Sequence, residues 1–176
     1  MIFKESKLPG VFVIEPERID DVRGFFAMNW SEKDFAVRGL VSRFVESNIS
    51  YSHKRGTLRG MHYQARPYGQ VKLVRCTTGA IHDVIIDLRP DSPTYKHWEA
   101  VELSADNRLM LYVPLDFAHG FQTLVDSTEV TYQMSSTYHP DSSRGVRWDD
   151  PSFGISWPEA ERVIIARDRE YPDFEG

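Results

Sequence analysis

A single cysteine, Cys76, stands among 176 residues, so the chain cannot close a disulfide on itself, which suits a reducing compartment. Cys76 lies in the apolar run Val71–Cys76 and reads as a small buried hydrophobe, not a nucleophile. Positive charge is also short. With 21 Lys and Arg against 26 Asp and Glu, the formal net charge of −5 argues against a general binder of nucleic acid or membrane surfaces. It leaves room for a local basic pocket that takes a phosphorylated small molecule. No apolar run is long enough to span a membrane, and Met1–Gly10 lacks the apolar core of a secretion signal, so the expected location is the cytoplasm. The sequence has no Gly-x-Gly-x-x-Gly turn, phosphate loop or serine elbow, and nucleophilic Ser or Cys catalysis has no support. Repeats, low-complexity blocks and interdomain linkers are missing too, and the length fits one domain over 1–176.

What the sequence has is short strands. Val11–Glu15, Phe25–Asn29, Phe44–Ser50, Leu58–Gln64, Val71–Cys76, Ala80–Leu88, Trp98–Leu103, Arg108–Val113, Gly120–Leu124 and Thr128–Ser135 carry the strand pattern. Turn signals such as Thr78-Gly79, Pro90-Asp91-Ser92-Pro93 and Ala105-Asp106-Asn107 separate them. Strands at this spacing predict an all-β sandwich, jelly roll or barrel. One helix is expected over Glu32–Arg38, with Ser31 as its N-cap and Gly39 ending it. Asp141–Gly176, rich in turns, is expected to form an irregular tail packed over the strands.

The segment Gly56–Gln64 concentrates chemistry. Strict alternation would put Arg59, Met61 and Tyr63 on one face and Leu58, His62 and Gln64 on the other, aiming a titratable imidazole into a core or cavity. His62 is not part of a His-x-His pair, and Tyr63 and Gln64 follow it in place of an acid, so no metal centre is expected. His53, His97 and His139 read as structural or solvent-exposed, and His82 as a satisfied core histidine. His119, in Phe117-Ala118-His119-Gly120-Phe121, stands evenly between a turn residue and a site group. On Ala80–Leu88, Asp87 reads as a sheet-edge group facing water; Asp83 fits either an edge or a polar cavity.

Several ordered motifs then converge: Asp21-Val22-Arg23-Gly24-Phe25-Phe26, Asn48-Ile49-Ser50, Leu58–Gln64, Lys72-Leu73-Val74-Arg75, Phe117–Phe121, Tyr132 with Tyr138, Trp148-Asp149-Asp150-Pro151 and Ile155-Ser156-Trp157-Pro158. In these the chain resembles the dTDP-4-dehydrorhamnose 3,5-epimerases of the cupin superfamily. The resemblance implies a cupin-type jelly roll working as a homodimer, with N-terminal strands (about 1–30) exchanged between subunits. It implies no metal or organic cofactor, and a nucleotide-linked 4-keto-6-deoxyhexose as substrate, inverted at C3 and C5 through an enolate. Matched residue by residue, it implies His62 as base, Asp168 as the acid that holds its tautomer, Tyr132 as opposite-face proton donor and Lys72 as stabiliser of the oxyanion. It puts Arg23, Arg59, His119 and Arg167 at the nucleotide-sugar, chiefly the diphosphate, and Tyr138 against the base. Phe26, Glu46, Asn48 and Gln64 complete the implied substrate contacts.

The chain also departs from the family pattern. Met28, Glu46 and Ser143 stand where glutamate, glutamine and glutamate are usual, Arg167 replaces a lysine and Ile165 a serine. Recognition of a GDP-, CDP- or UDP-linked sugar, or inversion at C3 alone or C5 alone, therefore stays open. A metal-dependent cupin oxygenase and a non-catalytic sugar-nucleotide binder are the alternatives from other classes.

Overall fold

The computed structural model describes residues 1–176. In chain order the elements are β1 (Ile2–Glu5), β2 (Phe12–Glu15), β3 (Arg18–Asp21), β4 (Gly24–Ala27), α1 (Glu32–Ala36), β5 (Glu46–Ser52) and β6 (Leu58–Gln64). They continue with β7 (Lys72–Thr78), β8 (Ala80–Asp87), β9 (Trp98–Ser104), β10 (Met110–Val113), β11 (Phe117–Thr123), β12 (Thr128–Met134), β13 (Ser143–Gly145) and α2 (Ala166–Arg169). A six-stranded sheet runs β1-β2-β10-β7-β12-β5 and a five-stranded sheet β13-β6-β11-β8-β9, while β3 and β4 pair only with each other. Every strand pairing is antiparallel.

Alternation explains the layering. Val74, Leu111 and Val130 from the larger sheet meet Ile81, Ile85, Phe117 and Phe121 from the smaller one in a buried cluster between the sheets. The outer face of the smaller sheet is not left to water. Met61, Val84, Ile86 and Ala118 pack there under Val146, Phe153, Trp157 and Phe174 of the C-terminal segment. On the outside of the larger sheet, Ile14, Leu73, Met110 and Tyr112 are roofed by Trp30, Phe35, Leu40 and Phe44. Ser31 caps the short helix as expected, its side chain accepting from the Asp34 N–H, although the helix ends at Ala36.

Three readings of the sequence need correction. The strands β1, β3 and β13 were not anticipated, and the C-terminal stretch is less irregular than expected, since it supplies both β13 and α2. Asp87 does not face water. It is fully buried, accepting from Arg89, Ser92 and Thr94. Burial alone would raise its pKa, but these donors outweigh it and hold the carboxyl at about 2. His82 is half-buried against Trp157; its ring bonds the Ser156 backbone while Nε2 finds no partner, so the satisfied core histidine expected is only half satisfied.

Candidate active site

The two sheets part on the side of β5 and β6, leaving a cavity of about 430 Å³. Its walls come from β5, β6, β7, β11, β12 and the C-terminal segment. His62, Lys72, Tyr132 and Asp168 all line it, as do Asn48, Arg59, Gln64, His119, Tyr138 and Arg167.

The geometry of β6 is not the simple alternation read from its sequence. Opposite β11 the register shifts, with His119 facing His62 but Phe121 facing Arg59. Two steps on one strand oppose three on the other, which is a β-bulge with one extra residue on β6. The bulge resets the pleat and brings Arg59 and His62 to the same cavity, contrary to the alternation expected. It needs glycine. Gly60 has φ of +122°, and a Cβ there would stand 2.5 Å from the Gly120 Cα on β11.

His62 is anchored from far along the chain. Asp168, at the start of α2, accepts from His62 Nε2 at 2.7 Å through Oδ1 and from the Gly60 N–H at 3.1 Å through Oδ2. Burial pushes the Asp168 carboxyl up, but the hydrogen bond and charge of His62, the Gly60 N–H and the Arg167 charge together bring it below the usual carboxylate range. An ionised carboxylate on Nε2 fixes that nitrogen as the protonated one and leaves the lone pair on Nδ1. The C-terminal segment is held in place to make this contact. Leu58 N–H donates to the Val163 carbonyl and Val163 N–H to that of Gly56, while the buried Gln122 carboxamide bonds the Glu159 backbone in both directions.

Lys72 enters from the larger sheet, its Nζ donating to the His62 carbonyl at 3.2 Å. It is almost wholly buried, and desolvation lowers its pKa to about 8 against the opposing pull of Asp83. Tyr132 lies on the next strand. Burial raises its phenol, only partly countered by the Arg59 charge, so it stays protonated at neutral pH. Arg59 is held by the Tyr51 carbonyl at 2.9 Å and Ser52 Oγ at 3.2 Å.

Asp83, left open by the sequence, is an interior residue. It is fully buried and accepts from His119 Nε2 at 2.7 Å, while its second oxygen has no partner. The signal for it was its place between Ile81 and Ile85 on an inward face. Gln64 lines the cavity with its carboxamide already engaged. It donates to the Tyr68 and Thr137 carbonyls and accepts from the His139 N–H, bracing the loop around Tyr138. Glu46 accepts from the Tyr138 N–H at 3.2 Å, bracing the same loop from β5.

Arg23 and Phe26 are not brought to this cavity within the chain. Both sit on the β3–β4 hairpin, where Phe26 is 69% exposed and Arg23 pairs with Asp21 at 2.6 Å. The hairpin shares no sheet with the rest of the fold, and neither side chain is among those lining the cavity. No three His, Cys, Asp or Glu side chains gather as a metal ion would require.

The family model for dTDP-4-dehydrorhamnose 3,5-epimerase matches residues 5–176. This chain belongs to that family. It is therefore a carbohydrate epimerase with a cupin-type jelly-roll fold. A curated dTDP-4-dehydrorhamnose 3,5-epimerase of Methanothermobacter thermautotrophicus is 44% identical over 172 residues, spanning 96% of this chain and 92% of its own. The crystal structure of the Bacillus anthracis dTDP-4-dehydrorhamnose 3,5-epimerase, with TDP and PPi bound, is 42% identical with a TM-score of 0.95, covering 98% of this chain and 99% of that one. A dTDP-4-dehydrorhamnose 3-epimerase of Streptomyces niveus is 38% identical over 165 residues, spanning 93% of this chain and 79% of its own.

Proposed function

We propose that this cavity inverts C3 and C5 of dTDP-4-dehydro-6-deoxy-glucose by taking a proton from one face of each carbon and returning one to the other. The C4 ketone acidifies the hydrogens on C3 and C5, so removal of a proton leaves an enolate, and the demands on the protein follow from that. A base must stand beside the carbon, a cation beside the growing oxyanion and an acid across the ring. His62, held in one tautomer by Asp168, has the free Nδ1 lone pair for the first task. Lys72 brings positive charge from the opposing sheet for the second. Tyr132, a protonated phenol on that same sheet, suits the third.

The observation that carries this reading is the pairing across one cavity of a carboxylate-backed imidazole on the smaller sheet with a buried ammonium and a phenol on the larger one. Arg59 and Arg167 are suited to the diphosphate, since a planar guanidinium holds two oxygens at once. Asn48 and Tyr138, which also line the cavity, are suited to the nucleoside end.

A homodimer completes the reading. The β3–β4 hairpin pairs with nothing in its own chain, and it exposes Ile19, Val22 and Phe26. Exchanged onto a second copy, it would bring Arg23 and Phe26 to the partner's cavity. The chain then acts as one domain over 1–176, and its nucleotide-sugar substrate fits a cytoplasmic role. No helix is long and apolar enough to cross a membrane.

The test is incubation with dTDP-4-dehydro-6-deoxy-glucose in deuterium oxide, read by NMR. Deuterium should enter at C3 and C5 with inversion of both. Without exchange at either carbon the proposal fails. The Streptomyces niveus relative, named as a 3-epimerase, keeps a second reading in view, for which exchange at C3 alone is the signature. His62→Ala should remove exchange at both carbons. Tyr132→Phe should retain exchange while losing inversion, because wash-out needs only removal and return on the His62 side. Equal loss of both would reject Tyr132 as the far-face donor.

A further inference from the structure

The C-terminal segment brings to the cavity rim one side chain that no motif singled out. Tyr171 follows α2 by two residues, and its ring lies flat on Gly145 of β13, where a Cβ would stand 2.1 Å from the ring carbon Cζ. Only glycine can be that seat. Gly145 is the register partner of His62, and cross-strand partners project to the same face, so the ring lies on the His62 side of the sheet. The two rings meet edge-on, centroids 6.2 Å apart at 69°.

From this seat the Tyr171 phenol oxygen accepts from Arg167 Nε at 2.9 Å, and Arg167 Nη2 donates to Ser143 Oγ at 2.8 Å. Two of the five guanidinium N–H groups are thus fixed by neutral oxygens from two separate segments. Arg167 makes no ion pair. Arg23, Arg55, Arg66, Arg89 and Arg147, by contrast, each bind a carboxylate. The two arginines that line the cavity, Arg59 and Arg167, are hydrogen-bonded only to neutral acceptors, so neither is tied up in an ion pair. An arginine oriented without an ion pair is suited to an anion site.

We propose that Tyr171, seated on Gly145, is a positioning residue that aims Arg167 at the diphosphate of the nucleotide sugar. The inference deepens the reading given under Proposed function and rests on it for the identity of the ligand. Its logic is entropic: a guanidinium already fixed at Nε and Nη2 loses little freedom when a phosphate arrives.

Tyr171→Phe tests it, because the ring stays on its glycine seat and only the acceptor oxygen goes. Calorimetric titration with inorganic pyrophosphate and with dTDP should give dissociation constants raised about three- to tenfold, the scale of one lost orienting hydrogen bond. The KM for the 4-keto sugar nucleotide should rise by the same factor with kcat held, since His62, Lys72 and Tyr132 are untouched. In an Arg167→Ala background, Tyr171→Phe should have no further effect on pyrophosphate binding. Wild-type affinity in Tyr171→Phe overturns the proposal, as do additive losses in the double variant or a fall in kcat without a change in KM. Pyrophosphate weakened as expected, in an enzyme that turns over no 4-keto sugar, refutes the sugar-nucleotide reading and leaves the positioning role standing. A wild-type protein that binds neither pyrophosphate nor dTDP overturns the positioning role itself.

Discussion

Burial in the cavity wall works against the charge of Lys72. Its folded pKa of about 8 lies below the ordinary 10.5, so between those two values the unfolded chain keeps a proton that the folded one has lost. The sign follows. Folding carries a cost on the order of 3 kcal/mol at neutral pH, which is relieved as the pH rises from about 8 towards 10.5. Activity runs the other way, because neutral Lys72 cannot stabilise an enolate, so kcat should decline above pH 8. Lys72→Met should separate the two effects. Turnover should drop by about 10²–10³-fold, as for loss of an oxyanion donor, while chemical denaturation at pH 7 shows a more stable protein. A variant that is both inactive and less stable would contradict this account. Asp168 carries the opposite sign. Its lowered folded pKa supplies stability that is present above the ordinary value of 3.8 and lost as acid protonates it. Asp168→Asn should cut kcat by about 10²–10⁴-fold, because the amide no longer enforces the Nε2–H tautomer.

The bulged strand β6 shows what sequence could and could not reveal about the elements. The long strands, the capped helix and the all-β class were legible from period-two patterning and turn chemistry. The motif around His62 pointed to a strand that lines the cavity, and the bulge within it did not show. A register shift depends on which residues lie across the ladder, and Gly120 is 60 positions from its neighbour Gly60. The same limit hid Tyr171, whose role depends on Gly145 in another strand, and made Asp87 look exposed when its three donors lie in the following loop. Gly60→Ala tests the bulge directly. The added methyl would strike β11, so we expect a loss of about 1–3 kcal/mol in denaturant unfolding and a larger fall in activity than that loss alone explains, since Arg59 and His62 both shift. Unchanged stability and activity would mean the strand absorbs the methyl without moving the site.

For the whole molecule, the β3–β4 hairpin is the unfinished part: a two-stranded ribbon has little stability alone and gains it by docking. If it docks on a second copy, Arg23 and His62 of one site come from different chains. Arg23→Ala and His62→Ala proteins, each nearly inactive, should then complement when unfolded together and refolded. Half of the dimers would be mixed, each with one intact site, giving about a quarter of wild-type turnover. Recovery of nothing would place both residues of a working site in one chain. The His62–Asp168 contact, by contrast, lies within a single chain and spans 106 positions. Synthesis therefore makes the imidazole 106 residues ahead of the carboxylate that fixes its tautomer, and His62 is oriented for proton transfer only once α2 has docked against β6.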